Sequence, residues 1–193
     1  TQFMKELRAA LAPSGYRVTM SVPAKHKDAP TSAWVGAFDY YELGRVCDQV
    51  MIMTYDEHTS GTRPGPIASL PWVEKVIKYA ATQMPKRKIL LGVAAYGYDW
   101  NTSTNRARAV TYQQAVANAA KHGKKIQWDA EAATPHYRYR SGSVAREVWF
   151  ESTDSLKAKL KLVEKYGLGG IAIWRLGQED AGYWDLIQKE LLR

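Results

Sequence analysis

Little in this chain can be oxidised, chelated or inserted into a bilayer. Its 193 residues hold one cysteine, Cys47, so an internal disulfide framework is excluded while the redox compartment stays open. Cys47 sits beside the start of an apolar run and reads as a core residue. The four histidines, His26, His58, His122 and His136, are scattered without metal-ligand spacing, and no metal site is supported. No apolar stretch is long enough to span a membrane, so a membrane partner is not expected. The glycines at 61, 65 and 97 lack the spacing of a phosphate-binding loop, which argues against a nucleotide or any other cofactor. No serine lies in a nucleophile elbow, and no repeat or flexible linker divides the chain into two domains. The start, Thr1-Gln2-Phe3-Met4-Lys5, has neither an initiator methionine nor the apolar core of a signal peptide, so it reads as cut from something longer.

What is present is a globular composition, 46% hydrophobic, with 12 tyrosines and 7 tryptophans. Such aromatic content favours ligands that stack on rings, sugars or bases. The net charge of +8 suits either an anionic partner (nucleic acid, acidic membrane or acidic cell-wall polymer) or simply a basic soluble surface. No nucleic-acid-binding motif accompanies it, so no nucleic-acid partner is expected.

The stretch Val50-Met51-Ile52-Met53-Thr54-Tyr55-Asp56-Glu57-His58 organises the rest. Its first half is continuously apolar, as in a strand buried on both faces of a parallel sheet. Its second half turns abruptly to groups that hydrogen-bond or titrate. Ligands bind beyond the carboxyl ends of parallel strands, so this is either a site or a strand running out into a solvated loop. Around it the chain alternates. A helix over 3–11 ends at Pro13-Ser14-Gly15, and a strand over Tyr16–Val22 stops at Pro23. A short helix at Tyr40–Arg45 precedes the central strand at 48–55. A helix opened by Trp72 buries Val73, Val76, Ile77 and Ala80, and a strand over Lys88–Ala95 runs into Tyr96-Gly97-Tyr98-Asp99-Trp100. Thr111 and Gln114 form a capping box. Ile126–Trp128, Tyr137–Arg140 and Glu147–Phe150 read as short antiparallel strands separated by Pro135 and Ser141-Gly142-Ser143. A helix with Leu156, Leu160 and Val163 inward leads to a strand over Gly169–Trp174. A last helix capped by Asp180 carries Trp184, Ile187 and Leu191. Four strands alternating with helices predict an α/β fold with a parallel sheet, interrupted over 101–150 by a small α+β insertion.

Three strand ends taken together, Met53-Thr54-Tyr55-Asp56, Tyr96-Gly97-Tyr98 and Gly169-Gly170-Ile171-Ala172-Ile173-Trp174, resemble the last three strands of glycoside hydrolase family 18, the chitinase-like TIM barrels. Met53 to His58, the Gly65-Pro66 turn before Trp72-Val73-Glu74, and Leu91 to Trp100 are similar to its bacterial spore-cortex and cell-wall lytic branch, whose members often carry LysM modules. The resemblance covers essentially all of 1–193, insertion included. One departure stands out: the family's Asp-x-x-Asp-x-Asp-x-Glu motif, which supplies the catalytic acid, is absent. The resemblance therefore implies the C-terminal half of a (β/α)8 barrel, strands five to eight, with the acid upstream of Thr1; a full barrel needs roughly 250 residues.

The resemblance also implies a mechanism in which the substrate's own 2-acetamido oxygen attacks the anomeric carbon. Tyr55 would hold that acetamido group and Asp56 would orient Tyr55 or bind sugar hydroxyls. Met53 and Trp174 would line the sugar subsite, with Tyr96 and Tyr98 as further substrate-binding candidates. Glu57 and His58, though tempting as an acid and its partner, read as loop charges. The implied function is hydrolysis of β-1,4 bonds in N-acetylglucosamine glycans, peptidoglycan or cortex fragments or chitin, at an extracellular, cell-wall or spore location. The alternative is a non-catalytic carbohydrate-binding module. The isolated 193 residues are expected to be inactive, and their unpaired barrel edges to favour a homo-oligomer.

Overall fold

The structure, a computed structural model, describes residues 1–191. The chain begins with α1 (Gln2–Leu11), β1 (Thr19–Pro23), α2 (Tyr40–Val46), β2 (Gln49–Met53), α3 (Leu70–Gln83) and β3 (Ile89–Ala94). It continues through β4 (Tyr96–Asn101), β5 (Ala107–Thr111), α4 (Tyr112–Lys121), β6 (Gln127–Asp129), β7 (Thr134–Ser141) and β8 (Val144–Phe150). It closes with α5 (Thr153–Tyr166), β9 (Gly170–Trp174) and α6 (Tyr183–Leu191). Two compact units result: Thr1–Thr54, Glu74–Gly92 and Leu162–Ala172 form the first, and Tyr55–Val73, Val93–Lys161 and the residues from Ile173 on form the second.

A four-stranded sheet has the order β1-β2-β3-β9. β1 pairs with β2 in parallel from Thr19↔Gln49 to Pro23↔Met53, and β2 with β3 from Val50↔Ile89 to Ile52↔Leu91. The sheet is open, with β1 and β9 as its outer strands, and no closed barrel is present among the described residues. Val22, Val50, Ile52, Ile89 and Leu91 are fully buried, as continuous apolar strands require. In the first unit, Asp39 caps α2 by accepting the Glu42 amide at 3.0 Å, and Lys88 closes its far end by donating to the carbonyls of Gly44 and Cys47. Arg8 pairs with Asp48, whose carboxylate also takes the Val18 amide. The face of α3 expected to be apolar, Val73, Val76, Ile77 and Ala80, is fully buried.

The second unit holds a five-stranded antiparallel sheet of order β5-β4-β8-β7-β6, with α4 packed on it through Ala115 and Ala119. Both halves of the Thr111–Gln114 capping box are formed.

Several expected boundaries move. The first strand begins at Thr19; Tyr16 lies before it and is exposed. Tyr96–Asn101, expected as the trailing end of a parallel strand, is a strand of its own in the antiparallel sheet, which thus starts before residue 101 and also recruits Ala107–Thr111. Pro135 falls inside β7 and separates nothing: it lies one residue beyond the β8 ladder, which begins at His136↔Trp149, so its missing N–H removes no bond there. Asp180 does not cap α6, which starts at Tyr183; its carboxylate instead takes the amide and hydroxyl of Thr153 and the amide of Gly182. The buried face of α6 is Tyr183, Leu186 and Ile187, while Trp184 is exposed and donates its indole N–H to Glu179.

Candidate active site

The exit from β2 is pinned before the first candidate is reached. Thr54 is fully buried and donates its hydroxyl to the Gly92 carbonyl at 2.6 Å, tying the end of β2 to β3. Met53, the last residue of β2, is half-buried and in register with Pro23. Tyr55 follows, half-buried, and Asp56 then adopts φ 60°, in the left-handed region. Aspartate is one of few non-glycine residues that tolerate this conformation, and such residues concentrate at functional sites.

The second wall is β4. Side chains alternate along a strand, so Tyr96, Tyr98 and Trp100 share a face. Their rings pack edge to face, with centroids 5.6 Å apart for Tyr96–Tyr98 and 5.4 Å for Tyr98–Trp100, and Tyr55 meets Tyr96 edge-on at 6.4 Å. Tyr96 donates its hydroxyl to Asp56 Oδ1 at 2.5 Å, and Tyr98 donates to the same oxygen at 3.1 Å. Asp56 itself is exposed, and no partner for its Oδ2 occurs among the described residues. The Tyr55 hydroxyl likewise has no hydrogen-bond partner among them.

Burial, reinforced by the Asp56 charge, pushes the phenols of Tyr55 and Tyr98 up to about 12. Tyr96 is raised further, first by burial and then by its bond to Asp56. All three therefore stay protonated at neutral pH. Tyr96 and Tyr98 spend their protons on Asp56, whereas Tyr55 keeps a donor free.

Trp174 ends β9 with 54% of its surface exposed, and the peptide joining it to Arg175 is cis. Its carbonyl accepts the Ala95 amide at 2.9 Å, so the residue preceding Tyr96 also anchors Trp174. Of the six sequence candidates, the second unit thus brings Tyr55, Asp56, Tyr96 and Tyr98 into direct contact and ties in Trp174 through its backbone. Tyr96 is only 5% exposed and grips Asp56, an arrangement that suits orientation of the carboxylate more than direct contact with a ligand.

Glu57 and His58 are structural. Glu57 takes the amide and hydroxyl of Ser69 just before α3, and His58 donates its Nδ1–H to the Pro66 carbonyl.

Three neighbours escaped sequence reasoning. Trp100, fully buried, props Tyr98 and donates its indole N–H to the Thr59 carbonyl. Asp99, on the opposite face of β4, is 1% exposed and accepts from Arg108, Tyr139 and Arg146. Gly97 lets β4 approach β8: a Cβ there would lie 2.3 Å from Phe150 Cβ. The signal for all three was the period-two alternation of Tyr-Gly-Tyr-Asp-Trp-Asn.

A family model, Glycosyl hydrolases family 18, matches residues 1–179. The chain belongs to this family. Among curated family 18 relatives, the cortical fragment-lytic enzyme of Bacillus subtilis (strain 168) is 35% identical over 98% of this chain and 45% of its own length. That of Bacillus anthracis is 34% identical over 96% and 44%. The crystal structure of the Bacillus cereus spore cortex-lytic enzyme SleL matches with a TM-score of 0.92 at 34% identity, covering 98% of this chain and 45% of that one. A chitinase from Chromobacterium violaceum ATCC 12472 matches with a TM-score of 0.91 at 32% identity, over 100% and 61%. The chain thus spans less than half the length of these curated relatives.

Proposed function

We propose that this chain is the substrate-positioning half of a family 18 catalytic domain, cleaving β-1,4 bonds of N-acetylglucosamine glycans by substrate-assisted catalysis. The observation that carries the reading is the Asp56 carboxylate held by two phenols beside a third, Tyr55, whose hydroxyl is uncommitted. The free Tyr55 donor takes the carbonyl of the substrate's 2-acetamido group and holds its oxygen under the anomeric carbon, so that attack becomes intramolecular. The Asp56 carboxylate, oriented by Tyr96 and Tyr98, holds hydroxyls of the same sugar and keeps the ring in place for that attack. The exposed indole of Trp174 offers a flat apolar floor to the C–H face of the sugar.

The leaving oxygen needs a proton from an acid, and the Asp-x-x-Asp-x-Asp-x-Glu motif that supplies it in the family does not occur in these 193 residues. Coverage of less than half of the two cortical fragment-lytic enzymes fits an acid supplied by further chain. The open sheet with outer strands β1 and β9 fits strands five to eight of a barrel, and the antiparallel sheet fits the insertion between the last two. The names of the relatives point to spore cortex or other cell-wall glycan, outside the cell, as the place of action.

The test is Tyr55→Phe in the complete polypeptide that carries this chain. Because the bond to the acetamido oxygen matters most in the transition state, kcat should fall on the order of 10²-fold with KM little changed. A raised KM at unchanged kcat would assign Tyr55 to uniform binding and defeat the mechanism. Binding of glycan without turnover by that polypeptide would favour a carbohydrate-binding module instead.

A further inference from the structure

We propose that the antiparallel sheet carries a second binding surface, a basic groove that takes the carboxylates of an anionic cell-wall glycan. The inference rests on the hydrolase reading above for its choice of glycan, and on separate residues for its chemistry. β6 pairs with β7 only over Thr134–His136, so from Tyr137 to Ser141 β7 has β8 on one side and no strand on the other among the described residues. Beside this free edge lies a groove of about 690 Å³. Lys124, Arg138, Arg140 and Arg146 line it with His122, against one carboxylate, Glu147.

Edge strands often carry cations merely to prevent edge-to-edge pairing. Here two of the cations are also fixed in place. Arg146 is anchored from behind by buried Asp99, Nε to Oδ1 at 2.8 Å, and Arg138 by Glu147 at 2.9 Å. Guanidiniums so held lose little further freedom when they bind an anion. Arg140 donates one N–H to the Ser143 carbonyl, and Lys124, exposed just beyond α4, makes no ion pair among the described residues. Arg146 and Arg138 are thus paired with carboxylates, whereas the charges of Arg140 and Lys124 are not cancelled by the surrounding protein.

The groove selects among polyanions by what it lacks. Tyr139 is 5% exposed and covered by His122, whose ring centroid is 4.5 Å away, so no open ring is offered for a base to stack on. Neutral chitin presents nothing for these cations to bind. A peptidoglycan strand presents carboxylates at regular intervals, from its muramyl residues and attached peptides, and meets cations on both faces of the β7–β8 edge, Arg138 and Arg140 on one and Arg146 on the other, with Lys124 beyond α4.

The experiment uses the complete polypeptide and its double variant K124E/R140E, two exposed positions away from the Asp56 cluster. Retention on sacculi stripped of phosphate polymers is measured across a salt series, with chitin beads, duplex DNA and polyphosphate as parallel probes. Sacculus affinity at low salt should fall roughly tenfold in the variant, and its salt dependence should flatten. Retention on chitin and turnover of a neutral chitooligosaccharide should be unchanged. Equal sacculus retention by both proteins, or tighter retention on DNA or polyphosphate than on sacculi, would overturn the proposal. If neither protein turns over the oligosaccharide while the sacculus difference persists, the hydrolase reading falls and the groove stands.

Discussion

Replacing Tyr96 by Phe removes one oxygen and almost nothing else, which makes it the sharpest probe of how Asp56 is held. Tyr96 is 5% exposed, and phenylalanine fills the same space, so no cavity opens. The substitution deletes the 2.5 Å bond to Asp56 Oδ1 and leaves the longer 3.1 Å bond from Tyr98. Hydrogen bonds to charged groups contribute about 1.5–3 kcal/mol, and because Asp56 is exposed the lower end applies. About 1.5 kcal/mol corresponds to roughly tenfold in rate, so kcat on an N-acetylglucosamine oligosaccharide should fall about tenfold in the complete polypeptide. Tyr98→Phe should cost less, since its bond is longer and shares the same acceptor. Thermal unfolding, measured alongside, separates lost protein from lost catalysis. The decisive assay is a double-mutant cycle with Asp56→Asn: once the carboxylate is gone, Tyr96→Phe should change kcat by less than about twofold. An equal drop in both backgrounds would show that Tyr96 acts by some route other than Asp56 and would refute the reasoning.

Gly97→Ala should destabilise by about 1–3 kcal/mol, because the new Cβ would lie 2.3 Å from Phe150 Cβ and 2.4 Å from the Trp149 carbonyl oxygen; an unchanged urea midpoint would contradict this. Asp99→Ala should cost about 3–5 kcal/mol by leaving Arg146 and the Tyr139 hydroxyl without their buried acceptor, and an equilibrium denaturation loss under about 1 kcal/mol would overturn that expectation. In alkaline solution Tyr55 and Tyr98 hold their protons to about 12 in the folded chain but release them near 10 when unfolded, so their contribution to stability is intact below pH 10 and is lost as pH rises towards 12. Tyrosinate absorbance and unfolding free energy followed together across that window check it, and Tyr55→Phe/Tyr98→Phe should flatten the decline.

The parallel strands were legible because burial on both faces leaves an unmistakable apolar run, as in Val50–Met53 and Leu90–Ala94. The capping box at Thr111 was legible because it needs only two residues at fixed spacing. Harder to read was β4. Its aromatic positions resemble a decorated strand end when taken one at a time, and only the alternation of Tyr96, Tyr98 and Trp100 with Gly97, Asp99 and Asn101 marks a strand with two different faces. Long-range partners were invisible: nothing adjacent to Asp99 in sequence announces Tyr139 or Arg146, because strand register is set by packing far along the chain. The buried face of α6 was not legible either: the indole N–H of Trp184 reaches Glu179 at the surface, and Tyr183 takes the buried place with its hydroxyl on the Ala94 carbonyl.

That last bond bears on how the candidate site is assembled. Ala94 ends β3, Tyr96 begins β4, and only Ala95 separates them. Within this three-residue link the Ala94 carbonyl takes the Tyr183 hydroxyl at 3.0 Å, and the Ala95 amide is donated to the Trp174 carbonyl at 2.9 Å. The next side chain, Tyr96, grips Asp56. One short link therefore sets the backbone of Trp174 and the orientation of the carboxylate together. Ala94 and Ala95 are each 1% exposed, so neither has room for a larger side chain without moving what it holds. Trp174 and the Asp56 carboxylate come from segments more than a hundred residues apart in sequence, yet their relative placement depends on a dipeptide with no chemistry of its own. Sequence reasoning picked out Tyr55, Asp56, Tyr96 and Trp174 by their reactive or aromatic groups. The alanines that position them offered no such signal, and they matter because their backbone N–H and C=O groups must find partners once buried.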